Sequence, residues 1–441
     1  MLKKMRTQPI PMKERPIGEV PFPTPFDTGL QYNPPARGVW NIVHTGMLIP
    51  GAHQIFACAQ GCLRGVILTA AEMNAMDRMS WISVCENDMF SGDLEQNIID
   101  GTADILNKMD ALPPVVLLYL SCIHFFAGID FDRILSDLRT AFPTVDFVDC
   151  YMTPTMRTTE SPDQIMRRQL YAALRPLPVN PRSVNILGSD LPTSPTSELL
   201  RIIEGAGCQV RDITDCHTYG EYLSMGESAL NITCLPAARA GGEQLSQRLD
   251  RSHLYLPLCY DAGELLSGYQ RLADALGTTL PDFSALQTRA EKKLDRAREV
   301  IGTVPVTLDY TATPRPLGLA KLLTKHGFAV ERLYIDVFST EEEEAFHWLQ
   351  AHAPELTICP TLDPAMRFAN HGDRQPQSLA IGQKAAYFED TRHFVNLVNG
   401  GGLYGFDGIG QLADLIIDAW EHEKETQTVI QYKGIQCESC L

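Results

Sequence analysis

The chain lacks any apolar run of the roughly 18 residues that a membrane span requires, so no transmembrane helix is expected. Basic charge is scarce. Lys and Arg number 37 against 54 Asp and Glu, a net charge of −17, and no segment presents a basic face. That balance excludes the electrostatic footprint of a nucleic-acid or anionic-membrane binder. Several catalytic signatures are missing as well. There is no Gly-x-x-x-x-Gly-Lys-[Ser/Thr] loop and no Gly-x-Gly-x-x-Gly after a strand, so no nucleotide is expected on this chain. Without a Gly-x-Ser-x-Gly elbow, Ser/His/Asp hydrolysis has no anchor. No low-complexity tract or internal repeat interrupts the pattern.

What is present is an ordinary globular composition, 441 residues with 44% hydrophobic and 21% charged residues, enough for two to four domains. The start, Met1-Leu2-Lys3-Lys4, has no apolar stretch behind it and predicts no secretory signal. The protein is therefore expected in the cytoplasm, with its 12 cysteines as reduced thiols, some of them free to act as ligands.

Residues 1–40 hold eight prolines and are expected to form an extended arm or a mobile tail, since proline suits neither helix interiors nor inner strands. Short apolar strands then alternate with amphipathic helices. Val115–Leu120 is a continuous apolar run of the kind a doubly buried strand shows, with a helix from Phe131 and a strand at Val145–Cys150 after it. The pattern repeats at Val184–Leu187, with Ser194 as N-cap and Pro195 at N1 of the next helix, and a return strand at Gln209–Ile213. It repeats again at Val304–Tyr310, Leu317–His326 and Ala329–Ile335. Strand–helix–strand units mean parallel sheets. The expected fold is α/β, with three doubly wound, Rossmann-like parallel-sheet domains at 41–180, 181–300 and 301–441 behind the arm at 1–40.

Open parallel sheets bind ligands outside the carboxyl ends of their strands. Cys122, Cys150, Cys234 and Cys359 are expected at or just beyond such ends, although each also suits an apolar core. Cys58 and Cys62 lie in Cys58-Ala59-Gln60-Gly61-Cys62-Leu63-Arg64-Gly65, read as a glycine-bracketed loop in which the backbone wraps a bulky anionic group at a helix start. Thiolates are the natural ligands of iron–sulfur clusters, so Cys62 with Cys122 forms a plausible half-site. Cys437-Glu438-Ser439-Cys440 is the sole Cys-x-x-Cys and reads as a tail. In the stretch Asp149–Thr159, Arg157 could hold an anion and Tyr151 or Cys150 could deliver a proton; an ordinary loop turned by Pro154 is the alternative. His124, two residues past Cys122, is either a proton donor or a capping side chain. Glu341–Glu344 reads as an acidic first helical turn.

Four stretches resemble nitrogenase component 1, the superfamily that includes the dark-operative protochlorophyllide reductase subunits. They are Gln60-Gly61-Cys62; Glu86–Asp93; Ser121-Cys122 with Gly128–Asp132; and Gly401–Gly410 with Ala419-Trp420. They come in the family's order and span roughly residues 33–420. The resemblance implies three α/β domains, a dimeric or heterotetrameric assembly with a second component-1 subunit or a second copy of the chain, and an iron–sulfur cluster (4Fe-4S or of the bridging eight-iron type) shared between subunits. It also implies electrons from a separate ATP-hydrolysing iron protein, docked near Cys62 and Cys122. Departures limit the transfer. Gly38 stands where the family's first cluster cysteine is expected, leaving Cys58 or Cys85 as substitutes. Ala229–Cys234 resembles the segment that supplies the single cysteine of a second cofactor; His393 is near the position of that cofactor's histidine but does not match it, and a solvated surface role is its alternative. Function is thus expected to be a nitrogenase-like oxidoreductase component acting on a small molecule. A cofactor-assembly scaffold of the same superfamily is the alternative, and a metal-free binding protein is a third.

Overall fold

The computed structural model describes residues 13–27, 41–153, 156, 160–363, 366 and 377–424. In chain order its strands are β1 (Arg15–Pro16), β2 (Ala52–Ala59), β3 (Met79–Val84), β4 (Val115–Ser121), β5 (Asp146–Met152), β6 (Asn180–Leu187), β7 (Gln209–Asp212), β8 (Ser228–Thr233), β9 (Ser252–Tyr255), β10 (Pro305–Asp309), β11 (Ala329–Tyr334), β12 (Thr357–Cys359), β13 (Leu379–Ile381) and β14 (Phe394–Val395). They build three sheets, ordered β3-β2-β4-β5, β7-β6-β8-β9 and β1-β12-β11-β10-β13-β14. All pairings are parallel except β1 with β12. The α/β class read from the strand–helix alternation is the class observed.

Apart from the edge strand β1, each sheet starts from an inner strand, winds to one side, then returns and winds to the other. The order reverses between β2 and β4, between β6 and β8, and between β10 and β13. Such reversals leave a crevice at the carboxyl edge, because the two flanking connections leave toward opposite faces. In the first sheet, Val115, Leu117 and Tyr119 of β4 pack on one face with Leu63, Val66 and Ala70. Val116, Leu118 and Leu120 pack on the other with Ile98, Ile134, Leu135 and Leu138. The unbroken apolar run is thus two period-2 faces, each covered by helices. The cores are shared across sheets: one cluster joins β4 and β5 residues to Leu187 and Leu245, and a larger one joins the second sheet to the third.

The described part of the proline-rich arm lies on the third sheet. Arg15 and Pro16 pair antiparallel with the edge strand β12, where a missing N–H is harmless, and Phe22 packs on Phe338 and Phe346.

Three local expectations are corrected. Cys58 and Ala59 belong to β2 and a helix spans Gln60–Glu72 directly after it, so no loop intervenes. Ser197, not Ser194, caps the helix Glu198–Gly205: its hydroxyl accepts from Leu199 N–H, whereas the Ser194 N–H is taken by the Gly402 carbonyl at 3.0 Å. Cys150 lies inside β5, fully buried and two residues short of its end.

Candidate metal-cluster site

The crevice at the first reversal is where chemistry-bearing side chains gather. Ala57 of β2 pairs with Leu120 of β4, and Ala59 pairs with Val84 of β3. Past these last rungs the chain places Cys62 in the first turn after β2, Cys85 directly after β3, and Cys122 directly after β4. Neighbouring strands are about 5 Å apart, so three adjacent strand ends present thiols along one rim. Cys62 and Cys85 are exposed and Cys122 is partly exposed. Its Sγ lies 3.9 Å from the Met152 carbonyl of the next strand, β5.

The helix Gln60–Glu72 starts at Ala59 with no side-chain cap, which leaves its first N–H groups to other partners. A Cβ added at Gly61 or Gly65 would meet nothing within 4 Å, so the flank of Cys62 is open. Cys85 is the N-cap of the helix Glu86–Ser91, and its N–H donates to Asp88 Oδ2 at 2.7 Å. That bond holds the Asp88 carboxyl below its ordinary value.

Cys58 is drawn away from the rim. It is fully buried in the core, where burial first and the neighbouring Cys62 second push its thiol up to about 12. A ligand must be a thiolate, so this environment opposes the substitution the sequence suggested. His124 is fully buried, and its Nδ1 accepts the Ser121 backbone N–H at 3.2 Å, a cap on the short helix Cys122–Phe126. Burial lowers its pKa, and Nε2 has no hydrogen-bond partner among the described residues. Tyr151 donates to Asp149 Oδ2 at 2.7 Å, and Arg157 lies outside the described residues, as do Gly38 and the Cys437–Cys440 pair.

Cys234 and His393 are not brought together. Cys234 follows β8 at the carboxyl edge of the second sheet, where burial pushes its thiol up to about 12. His393 precedes β14, at the amino edge of the third sheet. Its ring tilts on Trp420 with centroids 4.9 Å apart, and Nδ1 lies 3.1 Å from the Ala419 carbonyl. Among the described residues no group of three or more His, Cys, Asp or Glu side chains could hold a metal ion unaided.

Two features went unread in the sequence. Phe90 and Phe126, each a few residues past a rim thiol, are 88% and 70% exposed, and nothing in local composition marks them as surface residues. Arg167 is 1% exposed. Its only sequence signal is the i, i+4 spacing from Asp163 behind a Ser161-Pro162 cap, which predicts an ion pair and leaves its burial open.

The model of one family, nitrogenase component 1 type oxidoreductase, matches residues 43–420. The chain belongs to that family. No curated protein sequence matches it. A solved structure of nitrogenase Cp1 at pH 6.5 is similar with a TM-score of 0.64 and 14% identity, over 89% of this chain and 94% of that one. Nitrogenase Cp1 at pH 5 is similar with a TM-score of 0.58 and 11% identity, over 90% of each chain. Those likenesses establish a common fold. The family is one of oxidoreductases, and no helix among the described residues is long and apolar enough to cross a membrane.

Proposed function

We propose that this chain is one subunit of a two-component reductase that grips an iron–sulfur cluster with Cys62 and Cys122, the remaining ligands coming from a second component-1 subunit or a second copy of the chain. The observation that carries the reading is the arrival of two accessible thiols from neighbouring strands at the first reversal point. When bound, such a cluster supplies one-electron transfer at low potential. The chain's own residues do the rest. Cys62 and Cys122 hold the group as thiolates, the uncapped helix start turns its N–H groups toward a negative charge, and Gly61 and Gly65 leave it room. Cys85 stands as a further donor on the same rim.

Phe90 and Phe126 support the shared cluster, since aromatic rings this exposed beside an incomplete ligand set mark a contact face. Electrons come from an ATP-hydrolysing iron protein docked over this rim; the proposal assigns nucleotide chemistry to that partner, and the chain's own sequence has no phosphate-binding loop. The substrate is a small molecule.

The test is anaerobic purification with iron and acid-labile sulfide measured in the native chain and in Cys62→Ala/Cys122→Ala. Iron should fall by about tenfold or more in the variant. A native chain that stays iron-free after reconstitution removes the reading. The accessibility of Cys62 and Cys85 also suits a second reading, a scaffold that assembles a cluster and hands it on. Turnover with an iron protein and ATP separates the two, because a scaffold loses its cluster to an acceptor without forming product.

A further inference from the structure

The second reversal, between β6 and β8, is the place where the resemblance puts a second cofactor, beside Cys234. The residues there do not fit one. The cavity lined by Asp190, Thr193, Cys234, Leu258, Asn399 and Tyr404 has a volume of about 20 Å³. That is room for about one water.

The space is taken by the chain itself. Arg167 reaches in from the helix Pro162–Gln169 and donates to the Gly188 carbonyl just past β6. It pairs with Asp163 at 3.1 Å and with Asp190 at 2.8 Å. Asn399 donates to the same Asp190 oxygen at 2.8 Å, and the Gly188 N–H donates to the Tyr171 hydroxyl at 2.7 Å. Burial pulls the Asp190 carboxyl up, but the Arg167 guanidinium and the Asn399 amide outweigh it and hold the acid below its ordinary value. From the third sheet the glycine segment closes the remaining side. Gly402 has φ +71°, and a Cβ there would overlap the Pro192 carbonyl oxygen. Its own carbonyl accepts from Ser194 N–H, while Asn399 and Gly400 donate to Thr311 and Ala312. Cys234 is 2% exposed within this packing.

We infer that, of the two reversals, the first carries the metal and the second does not: the second is a solid joint closed by Arg167 and the glycine segment, and Cys234 is a core thiol there. This rests on the cluster reading of the rim and narrows it. On this reading no cofactor enclosed at the second reversal reduces the substrate, and the electrons leave from the rim that carries Cys62 and Cys122.

Two measurements on the full chain decide the matter. Iron-stripped and reconstituted protein are alkylated while folded, and each cysteine is read by mass spectrometry. Cys62 is expected to react when stripped and to be protected after reconstitution, with Cys234 unreactive in both. Iron content and the electron paramagnetic resonance signal of Cys234→Ala and Cys234→Ser are expected to equal those of the native chain. Alkylation of Cys234 in the stripped protein overturns the inference, and so does a loss of iron or signal in both Cys234 variants. If no form binds iron, the reading of the rim falls, while the reactivity of Cys234 still decides whether the joint is closed.

Discussion

The carboxyl edges at β2/β4 and β6/β8 are the same construction used in opposite ways. Both are reversal points of four-stranded parallel sheets with a 2-1-3-4 winding, and each has a cysteine just past the strand that follows the reversal. At the first, Cys62 and Cys85 are exposed, Cys122 is partly exposed, and Gly61 and Gly65 beside Cys62 face open space. At the second, a guanidinium from a neighbouring element and a glycine turn fill the crevice to about one water's volume. The third reversal, between β10 and β13, is filled too. Asp309 is fully buried and its Oδ2 accepts from Ala385 N–H at 2.7 Å, where Gly382 leaves no space for a Cβ. A crevice dictated by topology becomes a site only if the neighbouring chain leaves it empty.

The contrast can be broken most severely at Arg167. Arg167→Met leaves Asp163 and Asp190 buried without their cation, and stability should fall by about 3–5 kcal/mol, read from denaturant midpoints. Iron content should hold; a parallel loss of cluster would mean that the two edges are not independent. Next comes Asp212, the last residue of β7, which with Ile186 and Thr193 lines a separate cavity of about 410 Å³ beside the filled crevice. Burial raises its carboxyl from the ordinary range to about 7. A raised acid contributes stability that is full below its unfolded value near pH 4 and is lost as pH climbs through 7. Asp212→Asn should therefore flatten the stability profile between those limits, by up to about 4 kcal/mol. An unchanged slope would place the titration elsewhere.

Two glycines sharpen the comparison with smaller effects of opposite sign. Gly402→Ala meets a positive φ and a backbone oxygen at the filled edge and should destabilise by about 2 kcal/mol. Gly61→Ala sits in an exposed helical turn with no neighbour and should raise the thermal midpoint, a gain of about 0.5–1 kcal/mol. Any penalty for Gly61→Ala should show instead in cluster loading, since the bare flank of Cys62 is what it fills.

Much of the fold was legible. The run at Val115–Leu120, the helix that begins at Phe131, the helix read at Leu317–His326 and found at Pro316–Lys325, and the strands at Gln209 and Ala329 follow from apolar period and breakers alone. β2 was not, because Ala52–Ala59 carries His53 and Gln54 in an alanine-rich stretch with few branched residues. Both are buried by partners distant in sequence: His53 lies 2.8 Å from Ser80 Oγ, and Gln54 donates to the Val43 carbonyl at 2.9 Å. Reading Cys58–Gly65 as a loop carried Cys58 to the rim, when it lies inside β2, a strand with both faces covered, and its side chain is in the core. At the rim, Cys122 directly follows the strand that the apolar run marked, whereas Cys62 lies in the first turn of a helix and not in the glycine-bracketed loop expected.

The order of apolar segments and turn residues, by itself, determined the α/β class and the strand end that carries Cys122, because period and chain connectivity are local properties. Which crevice stays open was decided only in three dimensions. Arg167 looks like any solvated helix arginine until helices from two sheets enclose it, and the desolvation that locks it against Asp163 and Asp190 exists only once that packing has formed.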